Sequence, residues 1–84
     1  MEAELTTNEL VSILVRQAVA DVLGVPPTAL DATTQLSEYG LDSISSVDLT
    51  VQLEEVFDIR IPHRDTRMLA TVDGITDYIQ RIGF

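Results

Sequence analysis

Leu10, Val11, Leu14, Val15, Ala18, Val22 and Leu23 recur at the three- and four-residue spacing of one helix face. Just ahead of them, Thr6 and Glu9 have capping-box spacing, and Leu5 and Leu10 bracket the pair as a hydrophobic staple does. Gly24 and the Pro26-Pro27 pair halt the pattern, so a helix is predicted over residues 7–23. Residues 24–42, a stretch of 19, then show no period. Loops that long in small domains carry a short helical turn or a function. Leu30 and Leu36 are the residues expected to pin this one to a core.

Periodicity returns over residues 43–57, with two stripes instead of one. At about 100° per residue, Leu49, Leu53, Val56 and Phe57 fall on one side of a helix. Ile44, Val47 and Val51 fall on nearly the opposite side, flanked by Asp48, Glu54 and Glu55. Only one stripe of a small bundle faces the core easily. The second is either an acid-rimmed docking surface or packing under the long loop. Pro62 pushes Ile61 out of helical conformation and is expected to end this helix. Ile59 and Ile61 alternate as in an extended connector, and residues 63–69 suffice only for a short helix. A last helix over residues 72–82 has Thr71 as N-cap and Asp73 in its first turn. Val72, Ile75, Ile79 and Ile82 line one of its faces, with Tyr78 alongside. Gly74 is expected to weaken it by about 1 kcal/mol relative to alanine. The expectation is an all-α, small four-helix bundle, three main helices plus a short third one, forming a single domain over residues 1–84.

Composition narrows what such a bundle does. At 84 residues the chain has little core to spare, and without cysteine it has neither disulfide nor thiolate metal site. Two Tyr, two Phe and no Trp favour aliphatic helix packing over an aromatic-rich sandwich. Fourteen acidic residues against five arginines, with no lysine, give a net charge of −9. Such a chain repels nucleic acid and anionic membranes and is drawn to basic protein surfaces. No secretory leader or apolar run of membrane-spanning length is visible, so the expected location is cytoplasmic. The Met1 start and acidic first residues lean towards a free-standing protein.

Chemistry by the chain itself is hard to assemble. His63 is the only histidine, and its setting between Pro62 and Arg64 reads as solvated surface. There is no zinc-protease, P-loop or EF-hand spacing, so neither catalytic nor metal-ligating residues are expected. Ser43 is different. It follows Gly40-Leu41-Asp42 where the loop turns into the second helix. A hydroxyl there is exposed on a rigid element, near unpaired N–H groups that favour a negatively charged substituent. Without a general base it is no nucleophile of its own, and a second enzyme must modify it. The plainer alternative is that Ser43 caps the helix or is a phosphosite, in a helical interaction module.

Gly40-Leu41-Asp42-Ser43-Ile44, Val47-Asp48-Leu49, Leu53-Glu54-Glu55, Phe57 and Ile61-Pro62 together resemble the acyl carrier proteins. Gly24-Val25, Leu36, and Thr71-Val72 through Asp77-Tyr78-Ile79 extend the resemblance over nearly the whole chain. It implies that Ser43 carries 4′-phosphopantetheine, transferred from coenzyme A by a phosphopantetheinyl transferase. Acyl or polyketide intermediates would ride on the arm's thiol as thioesters, in polyketide, fatty-acid or other specialised biosynthesis. Asp42 would assist recognition there. Ile44, Val47, Asp48, Val51, Glu54 and Glu55 match positions that meet basic partner enzymes. Those partners are of the acyltransferase, ketosynthase or acyl-loading ligase kind, and the carrier itself is expected to be monomeric and not an enzyme. Arg64 and Arg67 depart from the acidic short helix of fatty-acid carriers, implying either a specialised partner set or solvated charge. Aminoacyl, peptidyl and D-alanyl carriers are the nearest alternatives, although Leu41-Asp42 differs from the G-G-x-S of many peptidyl carriers.

Overall fold

The computed structural model describes residues 6–82. Three α-helices, α1 (Thr7–Leu23), α2 (Ser43–Phe57) and α3 (Val72–Arg81), are joined by a long loop and by a connector that holds a 3-10 helix, His63–Met68. Two further 3-10 turns, Pro27–Ala29 and Leu36–Tyr39, break up the long loop, and no strand occurs among the described residues.

Helix α1 is the hub. Both α2 and α3 pack on it, and they touch it far more than each other. Its start is the expected capping box: Glu9 N donates to Thr6 Oγ1 at 3.0 Å and Thr6 N to Glu9 Oε1 at 2.9 Å. The proposed staple partner Leu5 lies outside the described residues. The core line of α1 runs through Val11, Val15, Ala18 and Val19, all buried. Leu10, placed on that line from its spacing, is 46% exposed. One residue is about 100° of rotation, which puts Leu10 at the edge of the stripe. Gly24 closes the helix in the left-handed region, its N–H donating to Ala20 O.

The core is completed by Leu49, Leu53 and Phe57 of α2, by Val72, Ile75, Tyr78 and Ile79 of α3, and by Leu36 of the loop. Each fully buried aliphatic side chain here contributes about 1.5–3 kcal/mol of transfer free energy. Val56 was expected among them but is 44% exposed. The buried line of α2 advances in strict i, i+4 steps, so by its last turn Val56 falls on the flank. Ile82, likewise expected on the buried face of the last helix, follows that helix's end at Arg81 and is exposed. The short helix ends at Met68, one residue before the expected boundary.

Proline does not end α2. Asp58 does so, in the left-handed region at φ 54°, ψ 52°, donating to Glu54 O. Aspartate tolerates that conformation better than most residues, and Pro62 comes four residues later. Ile59 N then also donates to Glu54 O at 3.1 Å, which starts the connector on its extended course.

The long loop is built rather than slack. Leu30 and Leu36 are buried, as expected of its two anchors. The Arg16 guanidinium donates to Leu30 O, and Asp31 N donates to the Tyr39 hydroxyl at 2.8 Å. Leu36 N reaches Ala70 O at 2.8 Å, while Asp73 N reaches Ala32 O at 2.9 Å. These last two bonds tie the loop to the start of α3. They fix the place from which α2 sets out.

Candidate functional site

The site is the turn into α2. Gly40 sits at φ 102°, a backbone shape that side-chain-bearing residues rarely adopt, and it redirects the chain after the Leu36–Tyr39 turn. Asp42 follows in extended conformation and is the N-cap of α2. Its Oδ1 accepts from Ser45 N at 2.9 Å and from Ile44 N at 3.0 Å, while its own N–H donates to Ser45 Oγ at 2.9 Å. Donors from Ser45, backbone and hydroxyl, then from Ile44, hold the Asp42 carboxyl below the usual carboxylate range.

The capping alternative for Ser43 therefore fails. The cap is Asp42, and Ser43 is the first residue of the helix itself. The Ser43 side chain is exposed and, among the described residues, its hydroxyl enters no hydrogen bond. Asp42 has taken over the neighbouring free N–H groups, so the serine oxygen is left for chemistry.

Ser43 opens onto a cleft of about 340 Å³. Three separate segments line it: Gln35, Ser37 and Leu41 from the loop, Ser43 from α2, and Arg67 and Leu69 from the 3-10 helix and its exit. The wall combines apolar side chains, Leu41 and Leu69, with hydrogen-bonding and charged ones. A phosphodiester followed by an amide-bearing, methyl-branched arm suits such a lining, so the residues present fit 4′-phosphopantetheine.

Along α2 the second stripe stands clear of the bundle. Ile44 is 76% exposed, Val47 63% and Val51 48%, so they do not pack under the long loop. Asp48, Val51 and Glu55 border a groove of about 430 Å³ shared with Asp21 of α1. Glu54, placed on the rim of that stripe from its spacing, is half-buried. Its Oε2 accepts from Ile61 N at 2.8 Å, tying α2 to the connector. On the 3-10 helix, Arg64 is highly exposed and only 3.9 Å from Asp65, a weak surface pair. Tyr78 Oη donates to Asp65 Oδ2 at 2.7 Å and fastens this helix to α3. Burial, then the Asp65 carboxylate, push the phenol up to about 12. His63 is exposed, as its sequence setting suggests.

Sequence reading singled out Ser43, the α2 stripe and Arg67, but it missed Asp21 altogether and missed the placement of Arg67 beside Ser43. Asp21 joins the acidic rim from another helix, and Arg67 shares the Ser43 cleft from a distant segment. Neither adjacency has a local signal. The signal for Arg67 was its departure, with Arg64, from the acidic short helix of fatty-acid carriers, which does not say what it lies beside.

Residues 14–79 match the family profile described as the phosphopantetheine attachment site. The chain belongs to the phosphopantetheine-dependent carrier proteins. The acyl carrier protein of Campylobacter concisus is 33% identical over 70 residues, spanning 82% of this chain and 91% of that protein. That of Bdellovibrio bacteriovorus is also 33% identical over 70 residues, spanning 82% and 90%. Among solved structures, a free-standing peptidyl carrier protein from an Acinetobacter baumannii secondary metabolic pathway superposes with a TM-score of 0.79. It has 23% identity and covers 89% of this chain and 94% of its own. The HMG-ACPI domain of the CurA module from Lyngbya majuscula reaches a TM-score of 0.83 at 18% identity, covering 98% of this chain and 85% of its own. Those two likenesses establish the carrier fold. The cofactor of this carrier family is 4′-phosphopantetheine, and its members work with synthase and transferase enzymes. No described helix is long and apolar enough to cross a membrane.

Proposed function

We propose that this protein is an acyl carrier that bears 4′-phosphopantetheine on Ser43 and presents it to partner enzymes through α2. The observation that carries the reading is the division of labour at the turn: Asp42 caps the helix, leaving the Ser43 hydroxyl exposed and unbonded. Attachment forms a bond from Ser43 Oγ to the phosphorus that bears the pantetheine in coenzyme A. It breaks the pyrophosphate link and releases adenosine 3′,5′-bisphosphate. No histidine, cysteine or lysine of this chain stands beside Ser43, so the transferase supplies the base that takes the serine proton. Once attached, the arm provides the thiol that this cysteine-free chain lacks, and cargo is held on it as a thioester.

Ile44, Val47 and Val51 form the apolar centre of the docking face, and Asp48 and Glu55 form its acidic rim. An exposed apolar strip with screened charge at its edge favours fast, salt-sensitive encounter and ready release, which a shuttle between enzymes needs. An acyl cargo is favoured over an aminoacyl or peptidyl one because relatives at 33% identity are acyl carriers. Polyketide, fatty-acid or other specialised biosynthesis is the setting, in the cytoplasm.

The test is intact mass after incubation with coenzyme A and a promiscuous phosphopantetheinyl transferase. The wild type should gain one phosphopantetheine, and Ser43→Ala should gain none. No gain on the wild type, or equal gain on Ser43→Ala, refutes the assignment. Val47→Ala should slow loading without lowering stability, and unchanged loading would remove Val47 from the docking face.

A further inference from the structure

Arg67 was singled out in the sequence as a departure from an acidic short helix, and carrier function gives it no task. Its position does. It lines the cleft onto which Ser43 opens, and Asp42 is the other charged residue in that wall. Among the described residues the Arg67 side chain enters no hydrogen bond or ion pair. Arg60 is likewise without a partner among the described residues, but it does not line this cleft. Arg67 borders a cleft whose other charged residue, Asp42, is already committed to Ser45 and Ile44.

We infer that Arg67 is the built-in phosphate partner of the prosthetic arm, pairing with the phosphodiester once that group stands on Ser43. This rests on the reading of Ser43 as the attachment site. A phosphodiester on Ser43 is a permanent monoanion placed beside the ionised Asp42 carboxylate. The pair repels, and among the described residues Arg67 is the one cation lining the cleft. Its planar fork of N–H donors matches two phosphate oxygens at once, which an ammonium does not do. Gln35, Ser37 and Thr66 then offer hydrogen bonds to the arm's hydroxyl and amide groups, and Leu41 and Leu69 offer contact to its methyl-branched carbon. Arg67 is thus a positioning residue. It holds the root of the arm against the 3-10 helix in the free carrier, and the arm swings out when a partner competes for the phosphate or the guanidinium.

A carboxylated cargo at the far end of the arm has the same anionic chemistry, but it reaches this cleft only if the whole arm folds back. The phosphodiester is fixed there by its bond to Ser43, and it is the partner assigned here.

The experiment compares apo and holo forms of the wild type, Arg67→Gln and Arg67→Lys, each confirmed by intact mass. The Arg67 Nε–H resonance should shift and gain protection from solvent exchange on conversion of the wild type from apo to holo. The 31P resonance of holo wild type should move when Arg67 becomes Gln, and less when it becomes Lys. Holo wild type should also melt above apo, by a margin that shrinks with added salt and vanishes in Arg67→Gln. Because Arg67 is exposed and unpaired, the apo variants should melt with the apo wild type. An unmoved Nε–H resonance, or the same holo-over-apo margin in Arg67→Gln, overturns the inference. So does a shift that arises only when the arm is loaded with a dicarboxylic cargo in place of a monocarboxylic one, because that transfers the contact to the cargo. Failure of the wild type to gain mass strikes the attachment reading instead, so the two failures are told apart.

Discussion

Replacing Glu54 by alanine should destabilise the protein before it touches any partner. The Glu54 carboxylate accepts from Ile61 N at 2.8 Å, and Ile61 itself is only 6% exposed. Truncation leaves that N–H without its acceptor in a setting where water has poor access. An unsatisfied donor of this kind costs about 1–3 kcal/mol. Alanine and glutamate differ little in helix propensity, so the backbone adds only a few tenths of a kcal/mol the other way. A net loss of about 2 kcal/mol lowers the Tm of a domain this small by roughly 8–16 °C. Glu54→Gln keeps an acceptor oxygen and loses only the charge assistance, so it should lose about half as much. Glu55→Ala, one residue on and exposed, is the control and should stay within about 0.5 kcal/mol of wild type. Thermal and urea unfolding followed by circular dichroism read all three. If Glu54→Ala unfolds with Glu55→Ala, the tie to Ile61 has no energetic weight and Glu54 returns to the docking rim. The outcome decides how charge reversals on α2 are read, since slower transfer in a Glu54 variant otherwise mixes lost docking with a loosened connector.

Acid should weaken the cap of α2. The folded Asp42 carboxyl lies below its ordinary value, so its contribution is present above an unfolded pKa of about 3.9 and is lost as pH falls through the folded value. In urea unfolding the wild type should lose stability relative to Asp42→Asn between about pH 5 and pH 2, and a constant difference across that range would contradict the cap. Gly74→Ala should fail to deliver the usual helix gain of about 1 kcal/mol. An added Cβ would lie 3.0 Å from Met68 O and 3.1 Å from Thr71 Oγ1, one a backbone atom and the other the cap oxygen that accepts from Gly74 N. A lower Tm is expected, and a higher one would mean that the 3-10 exit yields easily.

Legibility from sequence followed the range of the interactions. The capping box at Thr6 and Glu9, the stop at Gly24 and the two stripes of α2 depend on neighbours within a turn or two, and periodicity reports those directly. Val56 and Ile82 were misplaced because a helical wheel gives direction without saying where a helix drifts or ends. Gly74 looked like a defect in α3, yet its bare Cα lets the helix start beneath the Met68 carbonyl. The end of α2 was credited to Pro62, although a left-handed Asp58 had already turned the chain. Ser43 was legible as a special residue, while its release from capping duty was not. Asp42 and Ser43 are both good caps by type, and only the hydrogen-bond pattern says which one serves.

Charge in this molecule is sorted by position, and the sorting converges on Ser43. Helix α2 carries Asp48, Glu54 and Glu55 beside its exposed apolar stripe, whereas Arg60, Arg64 and Arg67 lie on the connector and 3-10 helix. The sorted groups do not cancel each other: Glu54 is bonded to a backbone N–H, Arg64 meets only Asp65 at 3.9 Å, and Arg67 has no partner among the described residues. A basic enzyme surface that approaches α2 is therefore attracted by the rim and repelled by the 3-10 helix. On the proposed docking reading, that asymmetry would orient the encounter, bringing the partner along Ile44, Val47 and Val51 towards Ser43. Arg67 sits at the boundary between the two fields, at the cleft it shares with Ser43. On the proposed reading, a phosphodiester on Ser43 would neutralise the end of the basic patch nearest α2, so the loaded carrier would repel a basic partner less than the unloaded one. Holo and apo forms should then differ in affinity for the same basic partner even where the arm itself makes no contact.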